Sequence, residues 1–204
     1  MLSIMASIGT GTMIGILRNQ DTLIDYLNLV AAAVQLIAKQ LNVEGEQLQK
    51  DVGMLSALVQ LVANNLESNN DATRGTCYGT SMFTCALSEK ILRILYFHLA
   101  KHERYIPINK ATIGELLVVN NTHIVGILGE SHVKNLSFFL QRTTPSNVGQ
   151  NIRNDLAHWA NISTEAMTQF FVARMLWIFT DILNTVFWYC LKDVIEGNES
   201  DDQL

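Results

Sequence analysis

An all-α fold follows from two observations on this 204-residue chain, and its capacity for a sizeable core from a third. Apolar residues recur at three- and four-residue intervals, as in Leu23, Leu27, Val30, Val34, Ile37 and Leu41, which is the period of a helix face and not of a strand. Only two prolines, Pro107 and Pro145, interrupt the chain. A hydrophobic content of 49% supports a continuous core without disulfide or metal staples.

The elements follow in chain order. Met1 to Leu17 is uncharged, rich in Gly, Ser and Thr, and lacks a basic leading segment, so it reads as a first helix or a cut domain boundary and not as an export signal. Within it, Gly9-Thr10-Gly11-Thr12 lacks the Gly-Lys-Ser/Thr of a phosphate loop and reads as a flexible start. Periodicity predicts a helix from Asp21 to Asn42 and a second from Glu46 to Leu66, the latter lined by Leu48, Val52, Leu55, Val59 and Val62. Together they form a helical hairpin. Glu67 to Gly79 is polar and carries Asn69-Asn70-Asp71, Gly75 and Gly79, a composition that predicts a loop and a subdomain boundary.

The helical pattern returns from Ser81 to His102 through Phe83, Leu87, Ile91, Leu95 and Leu99. A loop at Pro107 precedes a short helix beginning near Thr112, with Glu115 as its capping-box partner. Further helices are expected over Thr122 to Arg142, and Pro145-Ser146-Asn147 marks a break. A short helix then leads into a long one that Ser163 caps and that ends near Glu196. The acidic tail Gly197 to Leu204 reads as a frayed end. The organisation is therefore an amino-terminal helical extension over residues 1–79, a core domain over 80–196 and a flexible tail over 197–204.

Composition narrows the function classes. Cys77, Cys85 and Cys190 are odd in number and share no metal-ligand spacing, which argues against a disulfide framework or zinc cluster and for a reducing, cytoplasmic setting. His102, His123 and His132 are scattered and read as solvent-facing or capping groups, so neither a metal nor another cofactor is expected. Phe170 to Cys190 is apolar but includes Arg174, Asp181 and Asn184. A charge at the centre of a spanning helix costs at least roughly 2.5 kcal/mol, so the segment reads as a core or interface helix with no membrane partner. The formal net charge is −5, yet residues 80–195 carry ten Lys/Arg against eight Asp/Glu. That distribution argues against a broad basic surface for duplexes without excluding a local anion site.

The chemistry-bearing segment is Asn151-Ile152-Arg153-Asn154-Asp155-Leu156-Ala157-His158-Trp159. A helix turns about 100° per residue, so Ile152, Leu156 and Trp159 share an apolar face while Asn154 and His158 align one turn apart on the other side. With Asn151 as cap, Arg153 stands in the first turn, where free N–H groups and the helix dipole favour an anion. Imidazole titrates near neutrality and guanidinium binds phosphate in bidentate fashion, so His158 and Arg153 have the chemistry to cut RNA without a metal.

This arrangement, an Arg, a polar residue, three others and a His, preceded by Asn and followed by a long apolar helix, resembles the signature of the HEPN superfamily. Asn151 to His158 is similar to the N-L-R-N-x-x-A-H-G string of an uncharacterised HEPN-related bacterial family. The likeness extends back through Ser88-Glu89-Lys90-Ile91-Leu92-Arg93 and Ala111 to Leu117, covering roughly residues 80–195. It implies a HEPN-like helical bundle that homodimerises with paired Arg153, Asn154 and His158 forming one composite catalytic cleft. It further implies metal-independent endoribonuclease activity on single-stranded RNA in antiviral defence or a toxin system, under a regulatory or antitoxin protein. Trp159 stands where Gly is usual, and its indole either narrows the cleft or, with Asn151, takes part in substrate binding by offering a base a stacking surface. Ala160 stands where one toxin branch carries a tyrosine that its partner modifies, so that mode of neutralisation is not implied.

Two other readings fit the same residues. One is a catalytically silent HEPN-like module that binds RNA, a nucleotide or a protein; the other is a helical adaptor in which Arg153 and His158 lock a dimer. The chain also holds a second Arg-x4-His spacing, Arg93 to His98, which lacks the polar second residue and lies in an apolar helix, so both read as structural.

Overall fold

The computed structural model describes residues 2–101, 106–107, 110–141, 152–153, 156 and 164–201, with only the backbone described at 2–6, 164, 193–194 and 196–201. The described residues are all-helical, as expected. The elements are α1 (Leu2–Arg18), α2 (Gln20–Gln40), α3 (Gly45–Ala63), α4 (Asp71–Ala100), α5 (Ile113–Leu116), α6 (Thr122–Leu128), α7 (Glu130–Leu140) and α8 (Gln169–Asp201).

The first residues form a helix and not a flexible start. Met13, Ile14 and Leu17 of α1 are buried, and α1 lies along α8. Gly9 permits this approach, because a Cβ there would fall 2.2 Å from Nε1 of Trp177. Asn19 then caps α2 by accepting the Thr22 N–H at 3.0 Å. All six periodic residues from Leu23 to Leu41 are buried, as are the five predicted on α3, so the hairpin forms as its pattern requires. Across the core, the hydroxyls of Tyr26 on α2 and Thr180 on α8 lie 2.9 Å apart. Burial pushes the Tyr26 phenol up from 10.0 to about 12, the Thr180 hydrogen bond opposing it.

The largest departure from expectation is α4, which starts at Asp71 and runs unbroken through Gly75 and Gly79. The predicted loop shrinks to the residues before Asn70, whose side chain accepts the Thr73 N–H at 2.9 Å, and a boundary at residue 79 would fall inside a continuous helix. The polar composition misled because threonine and serine hydroxyls can be satisfied within a helix, as Thr76 is in the predicted loop and others are further along α4. Thr76, Thr80, Thr84 and Ser88 each donate to the carbonyl four residues earlier, at 3.0, 2.8, 2.7 and 2.8 Å. With their donors satisfied, Thr80, Thr84 and Ser88 can be fully buried, and their small volume lets neighbouring helices pack close.

The core centres on α4 and α8, which pack together through Ile91, Leu92 and Leu95 on one and Val172, Leu176, Phe179 and Ile182 on the other, all with no exposed surface. Burying each such side chain contributes about 1.5–3 kcal/mol. Both α2 and Gln169–Lys192 of α8 are long and apolar enough to cross a membrane by length and composition, and in this fold α8 turns its apolar positions onto α1, α2 and α4. The aromatic residues of α8 are graded: Phe179 is in the core, Phe171, Trp177 and Phe187 pack partly buried against it, and Phe170 and Trp188 are 57% and 58% exposed.

Several ends differ from expectation. Ser163 lies outside the described residues; a 3-10 turn at Thr164–Ala166 precedes α8, which starts at Gln169. The tail expected to fray is helical as far as Asp201. His132 on α7 is partly exposed, and its Nε2 lies 2.7 Å from a carboxylate oxygen of Asp181 on α8. The helices expected over Thr122 to Arg142 are two, divided by Gly129, whose φ of +80° is a backbone state that a side chain would strain.

Candidate functional site

One face of α4 looks outward. Its residues at three- and four-residue spacing form a stripe, with Met82, Ala86, Ile94 and Phe97 supplying the apolar surface. Glu89, Lys90 and Arg93 supply the charge, and Arg153 closes the groove from the predicted motif segment. The groove is open to solvent and has a volume of about 640 Å³, within the usual range for a small-ligand cleft.

Arg153 is positioned by its neighbours. Ile152 and Leu156 are buried, as the helical period predicted, and the Tyr78 hydroxyl of α4 donates to the Leu156 carbonyl at 2.6 Å. These anchors leave the Arg153 side chain at the groove, 31% exposed. Asn151, Asn154, His158 and Trp159, the other predicted site residues, lie outside the described residues.

Glu89 is the electrostatic centre of the site. Its carboxylate, 15% exposed, accepts from Nη2 of Arg93 at 2.6 Å and from the backbone N–H of Ile113 at 3.0 Å. Nε of Arg153 lies 3.6 Å from its second oxygen, an ion-pair distance beyond ordinary hydrogen-bond length. The Ile113 bond corrects the predicted cap of α5: Thr112 makes no side-chain cap bond, and Glu89 serves that end from α4. A carboxylate at a helix start is also favoured by the dipole, although α5 spans only four residues.

Arg93 is fixed at two points, since its Nε donates to the Ala111 carbonyl at 2.9 Å while Nη2 engages Glu89. The structural role predicted for it is therefore real, and it also faces the groove. Lys90 donates to Asp51 of α3, joining the groove wall to the amino-terminal hairpin. Cys85 sits below these groups, its thiol pushed up from 9.0 to about 12 by burial first and by the Glu89 charge second, with Arg153 opposing. It stays protonated at neutral pH and is no nucleophile. Among the described residues, no group of three or more His, Cys, Asp or Glu is placed to hold a metal ion.

Arg153, a predicted site residue, lines this groove, whereas Glu89, Lys90 and Arg93 are not among the predicted site residues. The available signals were the family likeness over Ser88 to Arg93 and the Glu89-x3-Arg93 spacing, which predicts a helical ion pair; neither indicates a third partner at Arg153. No family model, curated protein or solved structure matches the chain.

Proposed function

We propose that the chain is the protomer of a homodimeric, metal-independent endoribonuclease acting on single-stranded RNA, as its resemblance to the HEPN superfamily implies. The observation that supports it is the position of Arg153, held at a cationic groove by buried Ile152 and Leu156 and not absorbed into the core.

In this reading Arg153 binds the scissile phosphate and stabilises the charge that builds on it, Asn154 orients the phosphodiester, and His158 moves the proton. A base removes the 2′-hydroxyl proton, the oxygen attacks phosphorus, and protonation of the departing 5′-oxygen leaves a 2′,3′-cyclic phosphate. Paired protomers supply base and acid from two copies of the same helix. The same reading includes a cytoplasmic role in antiviral defence or a toxin system with a regulatory or antitoxin protein as partner.

The test is cleavage of end-labelled single-stranded RNA in EDTA by wild type, Arg153→Ala and His158→Ala, each shown to be folded and equally dimeric. A loss of about 100-fold or more in both variants is expected. A second reading, the catalytically silent RNA-, nucleotide- or protein-binding module, draws on Glu89, which holds a carboxylate beside Arg153 where a phosphate would sit. Absence of cutting across varied RNAs, with binding retained, would select it.

A further inference from the structure

We propose that Arg93 is a second phosphate-binding residue, so that a single-stranded RNA seated at Arg153 continues along α4 with its adjacent phosphate on Arg93 and the attached base against Ile94 and Phe97. This deepens the ribonuclease reading and rests on it for the identity of the ligand, while its test reads binding alone.

Four observations carry it. The guanidinia of Arg93 and Arg153 flank one carboxylate, that of Glu89, so both are within reach of neighbouring groups on one strand. Arg93 is preorganised: Ala111 and Glu89 engage two of its five N–H donors, and its side chain remains 38% exposed. A guanidinium already fixed loses little entropy on binding, and its remaining edge suits a phosphate. With Lys90 paired to Asp51, the lining sets two guanidinia against the single carboxylate of Glu89, a surplus of positive charge complementary to a phosphate.

The fourth observation selects the kind of polyanion. Ile94 and Phe97 lie on the same stripe as Arg93, and both are only partly buried, so an apolar wall adjoins the charged rim. Cations beside an aromatic wall are the elements of a single-strand site, where the backbone follows the charge and an unstacked base covers the ring. A duplex keeps its bases stacked and cannot use that wall.

Glu89 acquires a definite part in this arrangement. With the groove empty its single negative charge lies against both arginines, and an incoming phosphate must compete with it. Removing its charge while keeping its shape, as in Glu89→Gln, therefore tightens RNA binding.

The experiment is fluorescence anisotropy of a short fluorescein-labelled oligouridylate in EDTA across a potassium chloride series, on the His158→Ala background so that nothing is cut. Arg93→Ala is expected to weaken binding about tenfold and to reduce the slope of log affinity against log salt by about one phosphate contact. Arg93→Lys should restore the slope, Phe97→Leu should weaken binding several-fold at unchanged slope, and a duplex of equal length should bind less tightly. Thermal melting of each variant identifies loss of fold. An Arg93→Ala protein that keeps both affinity and slope, or one whose weaker binding follows its melting and is not recovered by lysine, overturns the proposal. Arg93-dependent binding by a protein that never cuts RNA supports it and sinks the ribonuclease reading; cutting that needs Arg153 and His158 but ignores Arg93 does the reverse.

Discussion

Arg93-x4-His98 and Arg153-x4-His158 share a spacing but differ in surroundings. The first lies within a thirty-residue helix that packs along α8, with its arginine tied to the backbone carbonyl of Ala111. The second starts from a segment anchored by Ile152, Leu156 and the Tyr78 hydroxyl. Yet both arginines converge on Glu89. Spacing therefore distinguishes nothing by itself; what makes a site is the convergence of side chains from separate elements on one open groove.

The comparison is broken most sharply by the two histidines. His158→Ala should abolish RNA cleavage, whereas His98→Ala should leave the rate within about twofold, since a partly exposed side chain away from the chemistry is normally removable at small cost. A gel assay of both variants decides it, and equal loss in both would place the second motif in the reaction. Next in size is Glu89→Ala, which leaves both guanidinia and the Ile113 N–H without their shared acceptor. Urea unfolding should show a loss of about 1.5–3 kcal/mol, the range for hydrogen bonds to charged groups.

Tyr78→Phe removes the hydroxyl that tethers the second segment. A loss of about 0.5–1.5 kcal/mol is expected, accompanied by reduced cleavage but unchanged Arg93-dependent binding. The smallest effect at neutral pH concerns Cys85 beneath both arginines. Below pH 9 its thiol is protonated folded and unfolded alike, so it makes no pH-dependent contribution. As pH rises from 9 towards 12 the unfolded thiol ionises while the folded one holds its proton, so stability falls across that window. The raised Tyr26 phenol adds to the same alkaline loss from pH 10 upward. Urea midpoints measured against pH should therefore decline less steeply in Cys85→Ala; an identical slope would show that the thiol ionises freely in the fold.

Helix faces were legible before any coordinates. The stripes of α2 and α3 are strictly periodic, and their predicted residues are the buried ones. The amino-terminal part of α4 was not legible because threonine, serine and glycine signal a loop when read locally. Only burial against other helices, with hydroxyls returned to carbonyls one turn back, makes them helical. The glycine at position 9 was misread for a related reason, since its use depends on Trp177, far along the chain. Of the groove's charged residues, Arg153 stands in the motif that the sequence singles out, while the sequence assigns Glu89 and Arg93 no place in a groove.

The order of residues alone determined the all-α class, the buried stripes of the hairpin and the burial of Ile152 and Leu156, because helical periodicity is a local property with a fixed angle per residue. Tertiary structure decided that Glu89 of α4, the start of α5 and Arg153 meet around a single groove. Charge attraction acts between elements whose separation in sequence carries no information about their distance in space, so that meeting exists only once the core has packed.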